Sequence, residues 1–224
     1  MKIVKLKLED GSETLPKLKV STVDEAVNLF DHLGQVNSFE RYYLQAAEST
    51  QNFNVDSRQL QGILQKLEEK HSDEILYSVR AGLFLTALMR KSQSELFDIE
   101  PKIPLDFVGY WMEGSKTVRI HGNAGNHLGW SLRSGNIEVD ENSGASTGRG
   151  MSGGTITVKK NTGWQTGVIM QGGIINVGGN AGEETGDGMT GGIIKVDGKI
   201  SGISGSYKKG EIWEGNVKKR PKEK

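Results

Sequence analysis

The chain contains no cysteine, and that absence removes disulfide cross-links, iron–sulfur ligation, a cysteine-ligated metallopterin and thiol catalysis together. Any redox centre associated with this protein would belong to another chain. An excess of charge of one sign is missing too. The 28 Lys and Arg balance 28 Asp and Glu, so no overall field draws the chain to nucleic acid or an anionic membrane surface. No apolar run approaches the roughly 18 residues that span a bilayer. The opening Met1-Lys2-Ile3-Val4-Lys5-Leu6-Lys7 is too evenly charged for a signal peptide. A cytoplasmic protein with protein partners, no membrane and no nucleic acid, is the expectation. No Gly-Lys-Ser or Gly-Lys-Thr follows a glycine cluster, which excludes a P-loop. The glycine-aspartate nonapeptides of calcium-binding β-rolls are absent, as is a Gly-x-Ser-x-Gly elbow.

Glycine is abundant and unevenly placed: 27 of 31 lie between Gly109 and Gly215. The shift marks a boundary near Pro101 to Pro104 and divides the chain into residues 1–105, residues 106–215 and a basic tail, 216–224. In the first part, alternation over Ile3 to Leu8, closed by Asp10-Gly11, predicts a short strand. Thr22 is placed to cap a helix over Val23 to Leu33, which Gly34 would end. Asp56 or Ser57 would cap a second, with Leu60, Ile63, Leu64 and Leu67 on one face. A third is expected from Ser72 or Asp73 to about Arg90. These helices would pack together and close one end of the glycine-rich part, or Gly82-Leu83-Phe84-Leu85 would meet a partner subunit.

The second part repeats every 19 residues: TVRIHGNAGNHLGWSLRSG from Thr117, NIEVDENSGASTGRGMSGG from Asn136, TITVKKNTGWQTGVIMQGG from Thr155 and IINVGGNAGEETGDGMTGG from Ile174, with a fifth row decaying after Ile193. Val108 to Gly114 looks like the end of an earlier row with one residue inserted. Positions 2 and 4 of every row are β-branched and apolar, and the residue between them is polar, so a strand would bury one face and expose the other. One such strand cannot bury its apolar face alone, whereas stacked rows make a continuous interior with parallel ladders. A parallel β-helix is therefore expected, in an α+β chain whose helical part comes first. Leu132, Met151, Met170 and Met189 form a second inner column at position 16. Gly125, Gly144, Gly163 and Gly182 at position 9, and Gly129, Gly148, Gly167, Gly186 and Gly205 at position 13, would make corners that need positive φ or close backbone approach. Gly135, Gly154, Gly173 and Gly192 recur at position 19. Asn123, Asn142, Asn161 and Asn180 at position 7 would stack as an amide ladder.

Candidate chemistry is thin. Gly148-Arg149-Gly150-Met151-Ser152-Gly153 and Gly186-Asp187-Gly188-Met189-Thr190-Gly191 match Gly-x-Gly-x-x-Gly, but a strand rather than a helix follows each, so both read as corners of the coil. His121 and His127 lie in the first coil with no consistent ligand set; a surface histidine stacked beside Asp140 is the plainer reading. Glu138, Asp140 and Asp197 lie among basic neighbours, Arg119 over Glu138 and Lys159 after Asp140, which favours register-setting ion pairs over an acid pair for sugar chemistry. No catalytic, cofactor-binding or metal-binding residue is assigned. Trp130 and Trp164 stand at positions 14 and 10, where other rows carry small or polar residues, and Trp111 stands beside Tyr110 at the entry to the stack. They would either anchor a protein interface or pack against the N-terminal helices. Lys218 to Lys224 would be a solvated end that keeps the last coil from accepting another strand.

The rows, above all Gly-Asn-Ala-Gly-Glu-Glu-Thr-Gly-Asp-Gly-Met-Thr-Gly-Gly-Ile-Ile-Lys-Val, resemble the repeats of the glycine-repeat subunit of formylmethanofuran dehydrogenase and the related Gly-x-Gly-x-Gly domain of the glutamate synthase large chain. The resemblance covers about 100 to 110 residues and agrees in spacing, methionine column and glycine pairs. It implies a right-handed parallel β-helix that holds catalytic subunits of a multi-subunit oxidoreductase or formyl-transfer complex in C1 metabolism, without catalysis or cofactor of its own. A free-standing glutamate-synthase-type subunit is the alternative within that class. A β-helical enzyme acting on a carbohydrate or nucleotide at its outer wall, or a sensor whose helical half binds a small molecule, represents the other classes.

Overall fold

The computed structural model describes residues 6–7, 13–14, 22–33, 38–203, 206 and 208–219. Two short strands, β1 (Leu6–Lys7) and β2 (Glu13–Thr14), pair antiparallel. The rest of the strand expected over Ile3 to Leu8, the helix stop at Gly34, Gly205 and the tail beyond Lys219 lie outside the described residues.

Four helices follow among the described residues. In α1 (Val23–His32) Thr22 accepts from the Glu25 amide at 3.2 Å while the Glu25 carboxylate accepts from the Thr22 amide at 3.1 Å, a reciprocal cap. Asp56 and Gln59 do the same for α3 (Ser57–His71) at 2.8 and 3.0 Å. The sequence pattern did not announce α2 (Phe39–Ser49), whose buried face is Tyr42, Tyr43 and Ala46. The helix expected from Ser72 or Asp73 starts instead at Tyr77, as α4 (Tyr77–Lys91). The chain turns at 72–76, where the Glu74 carboxylate takes bonds from His71 and Arg80, each at 2.6 Å. A helix unbroken from α3 could not fold back to bury α4, whose residues Arg80 through Met89 are all buried. Leu83, Phe84 and Leu85 are 0% exposed, so this segment meets the rest of the chain and not a partner subunit.

The sheet runs β10-β9-β8-β7-β6-β5-β4-β3. Its strands are β3 (Leu96–Ile99), β4 (Thr117–Ile120), β5 (Asn136–Val139), β6 (Thr155–Val158), β7 (Ile174–Val177), β8 (Ile193–Val196), β9 (Glu211–Glu214) and β10 (Val217–Lys219). All neighbours are parallel except β9 and β10. From β4 to β8 the register step is 19 residues, so that Ile137, Ile156 and Ile175 lie side by side. This is a parallel β-solenoid of about six turns. Its stack begins before the compositional boundary: Leu96 pairs with Thr117, 21 positions on, and the longer row hides β3 from a 19-residue alignment.

The interior columns fall where the repeat places them. Val118, Ile137, Ile156, Ile175, Ile194 and Ile212 are 0% exposed, as are Met112, Leu132, Met151, Met170 and Met189. Each such side chain contributes roughly 1.5–3 kcal/mol of hydrophobic stabilisation. Thr147, Thr166 and Thr185 form an inner polar column that the repeat pattern had not singled out. Each hydroxyl donates to the carbonyl three residues back, at 3.2, 3.1 and 2.9 Å, and so lies buried at no net cost in unmade bonds. The asparagine ladder is present: the Oδ1 atoms of Asn123 and Asn142 each accept the next asparagine's backbone and side-chain amides, at 3.1 and 3.0 Å.

A solenoid must close its end coils, because an open edge is a template for aggregation. At the first coil α3 does this with side chains. Ser57 Oγ accepts from the Asp98 amide at 2.6 Å, Gln61 from Glu100 at 2.9 Å and Glu68 from Lys102 at 2.7 Å. At the last coil β10 folds back on β9, with Lys218 bonded to Glu211 at 2.6 Å and Lys219 to Glu214.

Candidate functional site

An αL turn rich in free amides is an anion cradle, and the Gly-x-Gly corners have that backbone conformation at Gly148, Gly150, Gly186 and Gly188. Residues 148 to 153 have no amide free. Gly148 donates to Leu128 at 2.8 Å, Arg149 to Ser146 at 3.1 Å, Gly150 to Val168 at 2.9 Å and Met151 to Gly148 at 3.1 Å, while Ser152 and Gly153 both donate to Leu132. Residues 186 to 191 are likewise used up, with Gly188 donating to Ser206 Oγ at 3.0 Å. Neither match can hold a phosphate through its backbone. Gly129, Gly148, Gly167 and Gly186 have φ of 63, 69, 69 and 73°, whereas Gly125, Gly144, Gly163 and Gly182 serve by close approach. A Cβ on Gly163 would sit 2.8 Å from the Ala145 nitrogen of the preceding coil.

The outer face of the strands carries a chain of charges. His121 Nδ1 is 2.8 Å from Asp140 and its Nε2 3.3 Å from Asp98; Lys159 Nζ reaches Asp140 at 2.6 Å, and Arg119 reaches Glu138 at 3.1 Å. Both His121 ring nitrogens face carboxylates, so neither offers a free lone pair to a substrate. Exposed pairs of this kind contribute about 0–1 kcal/mol and fix the register of neighbouring coils. Among the described residues no three His, Asp or Glu side chains gather to hold a metal ion.

The two coil histidines titrate in opposite directions. The Asp140 hydrogen bond, assisted by Asp98, raises the His121 pKa above its ordinary 6.5, and burial lowers that of His127 below it. His121 therefore contributes stability that is complete below pH 6.5 and is lost as pH rises through its folded-state value. His127, held neutral, contributes above pH 6.5 and loses that contribution as pH falls, because only the unfolded chain takes up the proton there. In a proton NMR titration the His121 ring resonance is expected to move at higher pH than that of His127; the reverse order would show that these surroundings are misassigned.

The wall formed by corner positions 10 to 15 is aromatic in its first coils. Phe39 of α2 stacks on Phe107 at 4.8 Å and meets Trp130 at 5.2 Å, and Phe107 stacks on Trp130 at 5.5 Å. Tyr43 meets Tyr110 edge-on at 4.9 Å, and Tyr110 lies flat on Trp111 at 5.3 Å. Such pairs contribute roughly 0.5–1.5 kcal/mol each beyond their buried area, so α2 is fastened to the first coils by rings. Trp111 and Trp130 are thus partly buried against the helical cap, whereas Trp164 remains 56% exposed. Of the three tryptophans singled out by the repeat, Trp164 alone stands on the open wall.

Two further residues of this wall carried no clear signal in the sequence. Arg149, the middle residue of a Gly-Arg-Gly corner, lays its guanidinium 5.0 Å from the Trp130 ring centre. Ile169 holds φ of 51° and is 42% exposed, where the neighbouring coils place Gly150 and Gly188 at 61 and 62°. A β-branched residue in that conformation is strained by about 1–2 kcal/mol, and the available signal was an isoleucine in a glycine column. Ile169→Gly is expected to raise stability by about 1 kcal/mol, read from chemical denaturation; a loss would show that the contact of Ile169 with the adjacent corners outweighs the strain.

No helix among the described residues is long and apolar enough to cross a membrane. No family model matches this chain, and neither a curated protein nor a solved structure does so.

Proposed function

We propose that this chain is a non-catalytic scaffold subunit of a cytoplasmic multi-subunit complex. Its part would be comparable to that of the glycine-repeat subunit of formylmethanofuran dehydrogenase, or of a free-standing Gly-x-Gly-x-Gly subunit of the glutamate synthase type. The observation that carries the reading is the contrast between a self-satisfied coil and one incompletely covered wall. The corner amides are spent within and between coils, and the strand-face charges of Arg119, Glu138, His121, Asp98, Asp140 and Lys159 on one another, yet Trp164 and Ile169 are held out toward solvent. A large aromatic on a rigid wall is the usual anchor of a protein interface. The resemblance in repeat spacing, methionine column and glycine pairs supports a complex of oxidoreductase or formyl-transfer type, with catalysis and cofactors on the partner chains.

Isolation of the protein from its source cells at low salt tests this. A complex of defined stoichiometry containing an enzyme subunit is the expected outcome. Recovery only as a free monomer, or turnover of a carbohydrate or nucleotide by the isolated chain, would end the reading.

A further inference from the structure

Trp130, Arg149, Trp164 and Ile169 belong to three consecutive coils and lie on one continuous strip of the aromatic wall. The backbone establishes their adjacency. The Trp164 carbonyl accepts from the Ser146 amide at 2.8 Å, and the Ser146 carbonyl accepts from the Arg149 amide at 3.1 Å. The Val168 carbonyl accepts from Gly150 at 2.9 Å, which brings Ile169 beside Arg149 on the neighbouring coil. Ser146 is 3% exposed, so the strip has a packed floor.

Within this strip the cation is unbalanced. The other arginines of the described coils are answered by acids: Arg119 by Glu138 at 3.1 Å, and Arg133, which lies 5.7 Å from the Trp111 ring, by Glu113 at 3.5 Å. Arg149 repeats the Arg133 arrangement one coil on, over Trp130, but meets no carboxylate or other acceptor among the described residues. Its Nε is buried without a hydrogen bond, whereas the two terminal nitrogens are not buried and are the donors a ligand can reach. A guanidinium set on an aromatic face presents a planar fork that matches a carboxylate with two parallel bonds. Beyond Trp164 the next coil carries the exposed Glu183, so the strip is positive at one end and negative at the other.

We propose that this strip docks a segment of a partner protein in which a Glu or Asp side chain pairs with Arg149 and an adjacent large apolar side chain lies against Trp164 and Ile169. The proposal rests on the scaffold reading for the partner's origin, and the chemistry of the strip supplies the partner's character. The Glu183 end sets polarity, because a second acid there would be repelled and a basic residue accommodated. The strain retained at Ile169 fits the same purpose, since glycine would relieve it and would remove the apolar contact.

The test uses the full chain and a fluorescein-labelled peptide alternating Glu with Leu and Tyr, together with its Gln-for-Glu counterpart. Fluorescence anisotropy at low salt should show binding of the glutamate peptide and little of the other. Arg149→Gln should weaken binding about tenfold, as expected for loss of a charge-assisted pair, and Arg149→Lys should restore part of it. Trp164→Ala and Ile169→Gly should each weaken binding several-fold, the latter in a protein no less stable than the parent. Equal binding of the two peptides, or indifference to Arg149→Gln with an unchanged unfolding transition, would overturn the proposal. The native complex separates the two readings. A complex that survives Arg149→Gln and Trp164→Ala at high salt sinks the docking strip and spares the scaffold. Absence of any complex sinks the scaffold while the peptide result judges the strip.

Discussion

Gly82→Ala is expected to lower the unfolding free energy by about 2–4 kcal/mol, although the same change in an exposed helix would raise it by about 1 kcal/mol. The reason is where α4 lies. A Cβ on Gly82 would fall 1.8 Å from the Asp106 carbonyl oxygen, a backbone atom of the first coil that has no rotamer to escape into. The contact is also pinned from both sides. Thr86 donates to the Gly82 carbonyl at 2.7 Å and accepts from the Gly109 amide at 3.0 Å, with its hydroxyl fully buried. Lifting the helix to admit a methyl group would break these bonds and loosen the seal over the first coil. Urea denaturation would read the loss. Unchanged or increased stability would mean that α4 does not dock on the coil as described.

The second large effect is expected at Gly167, where two separable costs meet. Its φ is 69°, and a Cβ would stand 2.4 Å from the Ile194 Cδ1 methyl. The left-handed conformation costs about 1–2 kcal/mol for an L-residue, and overpacking a filled core costs typically about 1–3 kcal/mol. Gly167→Ala should therefore destabilise by about 2–4 kcal/mol. Gly114 is the control: its φ is 94° but nothing lies within 4 Å, so Gly114→Ala should show the conformational part alone. Ile194→Val removes the offending methyl group, and in the double variant it should recover about 1 kcal/mol of the loss. A strictly additive pair would refute the steric half of this account, and a harmless Gly114→Ala the conformational half.

These effects differ in how far they were legible beforehand. Gly167 belongs to a column repeated at fixed spacing, so its role as a corner could be read without coordinates, and the same holds for the isoleucine and methionine columns and the asparagine ladder. Gly82 was visible only as an isolated glycine in an apolar helix, beside residues for which a partner contact was the alternative to packing within the chain. The helix α2 was missed because Phe39, Tyr42 and Tyr43 make its inward face largely aromatic, and aromatics suit a strand as well as a helix until the rings of the first coils are there to receive them. The strand β3 was missed because its row is 21 residues long and falls out of register with the rest.

The candidate docking strip divides in the same way. Trp164 announced itself as a tryptophan among small or polar residues, but Trp130 did so equally, and their neighbours differ in space rather than in sequence. Arg149 stood in the sequence only as part of a Gly-x-Gly corner, and its stacking on Trp130 follows from positions 19 apart being neighbours.

The repeat by itself determined the coil. A period of 19 with two β-branched positions and fixed glycines leaves no other way to bury the apolar face and pair the backbone, since every row has only its copies as partners. Tertiary structure alone decided how the stack is closed by α3 and β10, which tryptophans the cap covers, and which arginine of the described coils is left without an acid. Those outcomes depend on non-repeating residues meeting across the chain, and contacts of that kind have no period from which they could be read.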